Sequence, residues 1–127
     1  MIGMGSFKKR FRNVIRIHNK NETEKHFLIK ALCLKLLFNR GYEVYSEYDG
    51  IYNPKYKSQR IPDIYAVKPK LKGRGVIFIE VETNPTPKKD MEMLKYYEDY
   101  NLYIIDVRTI SDDINEMKKQ IKHTLGF

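Results

Sequence analysis

Ile61-Pro62-Asp63-Ile64-Tyr65 and, past a basic turn, Ile77-Phe78-Ile79-Glu80-Val81-Glu82-Thr83 decide how this chain reads. Both stretches have the Val, Ile and aromatic content of buried β-strands bounded by Gly and Pro. Such strands normally exclude acids, because an ionised carboxylate removed from water needs a positive partner. Here Asp63, Glu80 and Glu82 all fall within them. Side chains alternate across a strand, so Glu80 and Glu82 share one face, roughly 7 Å apart, while Ile77, Ile79 and Val81 take the other. Pairing with the preceding strand brings Asp63 opposite or diagonal to the glutamates. An oxygen-rich pocket of this kind suits Mg2+ or Mn2+, and such a cation in turn suits phosphodiester hydrolysis. The competing account of Glu80 is a buried ion pair with a lysine or arginine.

The elements on either side follow from the same patterns. Residues 1–20 read as a basic arm, and residues 21–127 as a single α/β domain. Asn21 opens a helix to about Asn39, with Phe27, Leu28, Ala31, Leu34 and Phe38 at helical spacing and Gly41 as its stop. Glu43 to Tyr48 and Ile61 to Val67 read as strands, joined by a loop that begins at Asp49-Gly50. Val76 to Glu82 is a third, central strand. Pro87 starts a helix over 88–97, Leu102 to Val107 is a fourth strand, and Ser111 caps a final helix. Three strands in a meander followed by a helical crossover to a parallel fourth give a four-stranded mixed sheet with helices on both faces, a three-layer αβα arrangement.

On the first helix, Glu24 aligns with Leu28, Ala31, Lys35 and Phe38, which places it on the inward stripe and makes it a candidate for the site. Asn21-x-x-Glu24 also reads as a capping box. Glu22 and His26 fall off that stripe, and His26 is expected to be exposed. Cys33 reads as packing. With one cysteine, neither an intrachain disulfide nor a cysteine-built zinc site is available,.

The chain has 127 residues, 42% hydrophobic, and a net charge of +8, which together point to a compact domain with a polyanionic partner,. The charge is uneven. Lys8, Lys9, Arg10, Arg12, Arg16 and Lys20 sit in a segment without acids, and Lys55, Lys57 and Arg60 form part of a second basic run. Tyr52 and Tyr56 lie within that run, where aromatic rings can stack on bases while cations follow the backbone. Lys8, Lys9, Arg10, Arg12, Lys55, Lys57 and Arg60 are therefore candidate nucleic-acid contacts together with Tyr52 and Tyr56. No apolar run is long enough to cross a bilayer, the first residues do not read as a signal peptide, and a reducing, cytoplasmic setting is expected.

Pro62-Asp63, a hairpin and then Glu80-Val81-Glu82 at the end of an apolar strand resembles the PD-(D/E)XK, or restriction-endonuclease-like, nuclease superfamily over residues 21–107. The resemblance implies a metal-dependent endonuclease acting on DNA, with Asp63, Glu80 and Glu82 holding Mg2+ or Mn2+ and Glu24 completing the site. It also points to a homodimer, since small nucleases that cut both strands often act as two copies. The chain departs from the pattern at the motif lysine, where Glu82 stands. Glu82 then becomes the candidate proton acceptor, or a lysine such as Lys68, Lys88 or Lys89 moves in from another element. The same departure fits a nuclease-like module that binds DNA without cutting it.

Overall fold

The alternation that sets Ile77, Ile79 and Val81 apart from Phe78, Glu80 and Glu82 organises the whole molecule. A computed structural model describes residues 12–48, 60–68 and 75–127. The element order is α1 (Glu24–Asn39), β1 (Glu43–Ser46), β2 (Ile64–Val67), β3 (Val76–Glu82), α2 (Pro87–Tyr96), β4 (Asn101–Asp106), a 3-10 turn (Val107–Thr109) and α3 (Ile114–Leu125). The sheet order is β1-β2-β3-β4. The first three strands are antiparallel, with Ile64 opposite Ile79, and β4 runs parallel to β3, with Glu80 opposite Ile104. This is the mixed four-stranded α/β sheet expected from the sequence, and β3 is an interior strand. No helix among the described residues is long and apolar enough to cross a membrane.

One face of the sheet packs against α1 and α3. Ile29, Cys33 and Leu37 meet Ile64, Ile79 and Val81 of the sheet and Met117 and Ile121 of α3. Each such aliphatic side chain contributes roughly 1.5–3 kcal/mol by burial. The other face is aromatic. Tyr45, Tyr65 and Phe78 form a row with Tyr96 and Tyr97 at the end of α2, and ring centroids are 5.5 Å apart for Tyr45–Tyr65, 5.4 Å for Tyr65–Phe78 and 4.7 Å for Phe78–Tyr97. Tyr45 and Tyr65 are thus core residues.

The inward stripe of α1 is not the one the spacing predicts. The buried positions are His26, Ile29, Lys30, Cys33, Leu34, Leu36 and Leu37, whereas Leu28 and Phe38 are exposed. Apolar residues surround this helix on nearly every side, so the pattern carries little phase information, and the face that turns inward includes two charged side chains. The helix also starts later than expected. Thr23 is its N-cap and accepts from the His26 N–H through Oγ1 at 3.1 Å, so Asn21 and Glu24 do not form the capping box. Its end is as expected, with Gly41 at φ 89°, a left-handed conformation that glycine adopts without cost,. The cap of α3 is Asp113 rather than Ser111; the serine hydroxyl instead accepts from the Asp113 N–H.

The segment before α1 lies against the free edge of β1. The Asn13 N–H donates to the Val44 carbonyl at 2.7 Å, Val44 N–H donates to Asn13 Oδ1 at 3.2 Å, and Ser46 Oγ accepts from the Arg16 N–H at 2.6 Å while donating to the Val14 carbonyl. An edge strand otherwise offers unpaired backbone groups to other chains. These bonds cover that edge and lead the chain toward the end of the sheet where Asp63 lies.

Candidate metal centre

Asp63 and Glu80 meet where the pairing of β2 and β3 runs out. The Asp63 N–H donates to Glu80 Oε1 at 3.1 Å, and the Val81 N–H donates to Asp63 Oδ2 at 2.6 Å. Each carboxylate thereby takes over a backbone donor that the ladder no longer reaches. This locks both side chains toward the same end of the sheet. Asp63 and Glu80 are buried, and Glu82, one pleat further on, is half-buried. All three line one open cleft of about 510 Å³, with His18, Glu22, His26, Arg60 and Lys89 among its other walls.

Glu24 lies outside this cleft. It is exposed, on the first turn of α1. The residues that carry α1 into the site are Glu22, just before the N-cap, and His26, one turn in, both of which the helical stripe had set aside. Glu22 Oε2 contacts His26 Nδ1 and accepts from the Lys30 ammonium at 2.8 Å. His26 Nε2 donates to the Val81 carbonyl at 3.0 Å and lies 3.7 Å from Asp63 Oδ1. Burial disfavours the imidazolium, but the hydrogen bond and charge of Asp63, followed by Glu22, outweigh it and push the His26 pKa up to about 9,. With both ring nitrogens donating, His26 is a buried cation and has no lone pair for a metal.

Two further residues emerge only in three dimensions. Lys30, wholly buried, bonds Glu22 and lies 3.8 Å from Glu47 Oε2. Glu47 follows β1 at φ 49°, unusual for a residue with a side chain,, and its N–H donates to the Asp63 carbonyl at 3.0 Å. The periodicity of the helix conceals Lys30, and Glu47 reads as the polar position of an alternating strand. An acid and a lysine in otherwise apolar surroundings were the available signals.

The electrostatics follow from crowding. Glu22, Glu47, Asp63, Glu80 and Glu82 face Lys30, Arg60, Lys89 and the His26 imidazolium, so five carboxylates against four cations leave one negative charge over. Burial, reinforced by the charge of Asp63, pushes Glu80 up to about 8 against the pull of Arg60. The same two causes push Glu47 up to about 7 against His18 and Lys30. Glu82 is raised as well, by burial and then by Asp63, while Arg60 and Lys89 oppose the shift. Glu22 is lowered: its bonds to Lys30, the His18 N–H and His26 prevail over burial. A proton retained on Glu47 or Glu80 near neutral pH would balance the surplus, and a divalent cation would more than offset it. Glu47 Oε2 is buried without a hydrogen-bond partner. The donor set, hard carboxylate oxygens with one imidazole near the rim, fits a divalent cation of the Mg2+ or Mn2+ class.

Arg60 sits in this cleft. Its Nε donates to Glu80 Oε2 at 3.0 Å, and its own N–H donates to the Tyr96 hydroxyl at 3.0 Å. The basic partner anticipated as the rival account of Glu80 is therefore present, although about a third of the Arg60 side chain remains exposed. Of the lysines considered for the motif position, Lys89 lines the cleft, whereas Lys68 lies over the Tyr42 ring and Lys88 is exposed. Arg12 pairs with Glu43 at 3.3 Å on the surface. Lys8, Lys9, Arg10, Tyr52, Lys55, Tyr56 and Lys57 lie outside the described residues. The chain matches no protein-family model, no curated protein and no solved structure.

Proposed function

We propose that this protein is a metal-dependent nuclease of restriction-endonuclease-like type that hydrolyses DNA phosphodiester bonds. The observation that carries the reading is that Asp63, Glu80 and Glu82 line one open cleft together with Glu22, so that four carboxylates share it with Arg60, Lys89 and the His26 imidazolium. Asp63, Glu80 and Glu82 would hold the cation, which when bound polarises the scissile phosphate and acidifies a water. Glu82 is the least buried of the three acids and has a raised pKa. It is therefore the group placed to take the proton of the attacking water. Arg60 and Lys89, which line the cleft, would supply positive charge for the phosphates on either side of the scissile bond. Glu22 and His26 position the site: Glu22 fixes the imidazolium, and the imidazolium holds the Val81 carbonyl and Asp63.

The test is cleavage of duplex, single-stranded and branched DNA with Mg2+ or Mn2+. Asp63→Asn, assayed well below its own melting temperature, is expected to lower the rate by at least about a hundredfold, and Glu24→Gln to cut like the parent. An Asp63→Asn protein that cuts at the parental rate refutes the assignment. The Arg60–Glu80 ion pair supports a second reading, in which the fold binds DNA and no longer cuts it. Salt-sensitive binding without turnover on any of these substrates, with any of these metals, selects that reading.

A further inference from the structure

Asp63 also belongs to a second group of donors, with His18 and Glu47. One ligand atom each from His18, Glu47 and Asp63 lies within 4.8 Å of the others. Ligands held around 2.0–2.3 Å from a common ion are separated by about 3 to 4.5 Å, so little closure is needed. The three residues come from three segments that the backbone ties together. The Glu47 N–H donates to the Asp63 carbonyl, the Glu47 carbonyl accepts from Arg16 Nη1 at 3.2 Å, and the His18 N–H donates to Glu22 Oε1 at 3.0 Å. His18 Nδ1 already touches Glu47 Oε1. Glu47 is more than nine-tenths buried, and its other oxygen has no hydrogen bond. Burying an acceptor in that state is costly unless something positive reaches it. The Lys30 ammonium, at 3.8 Å, is beyond hydrogen-bonding distance and is already bonded to Glu22.

We propose that His18, Glu47 and Asp63 form a cation position of their own, distinct from the Asp63–Glu80–Glu82 position and sharing only Asp63 with it. Its imidazole favours a borderline transition metal such as Co2+ or Zn2+, and admits Mn2+ more readily than Mg2+, which binds oxygen and keeps its waters. The ligand comes from the segment preceding α1, so the part of the chain that runs along the sheet edge also completes the metal centre. Half of the His18 side chain is exposed, so an ion can reach the ring from solvent. The proposal rests on the nuclease reading only through the shared aspartate.

The assignment of a nitrogen ligand is clean. The chain has three histidines. His26 has both nitrogens engaged, and His123 lies near the end of α3, exposed. The experiment is pulsed electron paramagnetic resonance of the full chain loaded with Mn2+, together with a Co2+ titration followed by visible absorption and calorimetry. The parent is expected to show 14N coupling to the bound ion and two Co2+ equivalents. His18→Ala should abolish the coupling, remove one equivalent and weaken Mn2+ binding about tenfold or more. Glu47→Gln, which keeps the shape of the side chain, should do the same, whereas Glu82→Gln should retain the coupling. Absence of 14N coupling in the parent at saturating Mn2+, or its persistence in His18→Ala, overturns the proposal. DNA cleavage with Mg2+ but no 14N coupling would refute this site and leave the nuclease reading standing. Coupling without cleavage would refute the nuclease and leave the site.

Discussion

Lys30 shows how far a single buried side chain controls this protein. Its ammonium is fully enclosed, bonds Glu22 and approaches Glu47. A buried ion pair gives little net stability, but removing one partner strands the other. Lys30→Ala should therefore cost about 3 kcal/mol in urea unfolding. Lys30→Met combined with Glu22→Gln, which removes both charges, should recover much of that loss. If Lys30→Ala is as stable as the parent, then Glu22 is not held by the ammonium. His26 offers a direct reading of the same network. In an NMR titration without metal its imidazole should titrate near 9, and in Asp63→Asn it should fall back toward the ordinary 6.5 because its largest favourable partner is gone,. A value near 6.5 in the parent would remove the imidazolium from the site.

At the level of elements, the hairpin of β2 and β3 delivers Asp63 and Glu80 together, and its closure depends on Gly75. A Cβ at that position would come within 2.7 Å of the Lys68 carbonyl oxygen, while Lys68 N–H donates to the Gly75 carbonyl at 2.9 Å. Gly75→Ala must push the two strands apart, at a cost of roughly 1–3 kcal/mol. Metal affinity should weaken in parallel, measured by calorimetry on the folded variant; unchanged stability would show that the turn yields. This hairpin was also the most legible part of the sequence. Period-two alternation puts Glu80 and Glu82 on one face by parity alone, and acids in an apolar strand stand out. The first helix was illegible for the opposite reason. Ten apolar side chains between Phe27 and Phe38 leave no polar face to set its rotation, so Glu24 reads as inward when Glu22 and His26 are the residues that reach the cleft. Tertiary pairing with Asp63 and Glu47 selects a face bearing His26 and Lys30, and no local pattern encodes partners that lie on other strands. Arg60 misleads in the same way. In sequence it belongs to a basic run, and in space it answers Glu80.

Across the whole molecule the crowded acids give stability a definite pH dependence. His26 has a folded pKa above its ordinary value, so its contribution is complete below about 6.5 and fades as pH rises through about 9,. Glu47 and Glu80 also titrate above the ordinary carboxyl range, at about 7 and about 8. Between the ordinary value and those, the folded state binds more protons than the unfolded state, so each of them destabilises the fold as pH rises. All three act in one direction. The melting temperature of metal-free protein should fall steadily from pH 5 to pH 9, and Mn2+ should raise it most at the alkaline end, where the carboxylates are bare. A flat profile, or one that rises, contradicts this electrostatic picture of the cleft. Arg60 adds a kinetic corollary. Because its guanidinium grips Glu80 through one nitrogen and is a third exposed to solvent, an incoming ion must first dislodge a tenant. Loading is then an exchange rather than a simple capture, slower than diffusion and levelling off at high metal concentration, where release of the guanidinium sets the pace, and a chain starved of metal keeps its shape by lending itself a counter-ion.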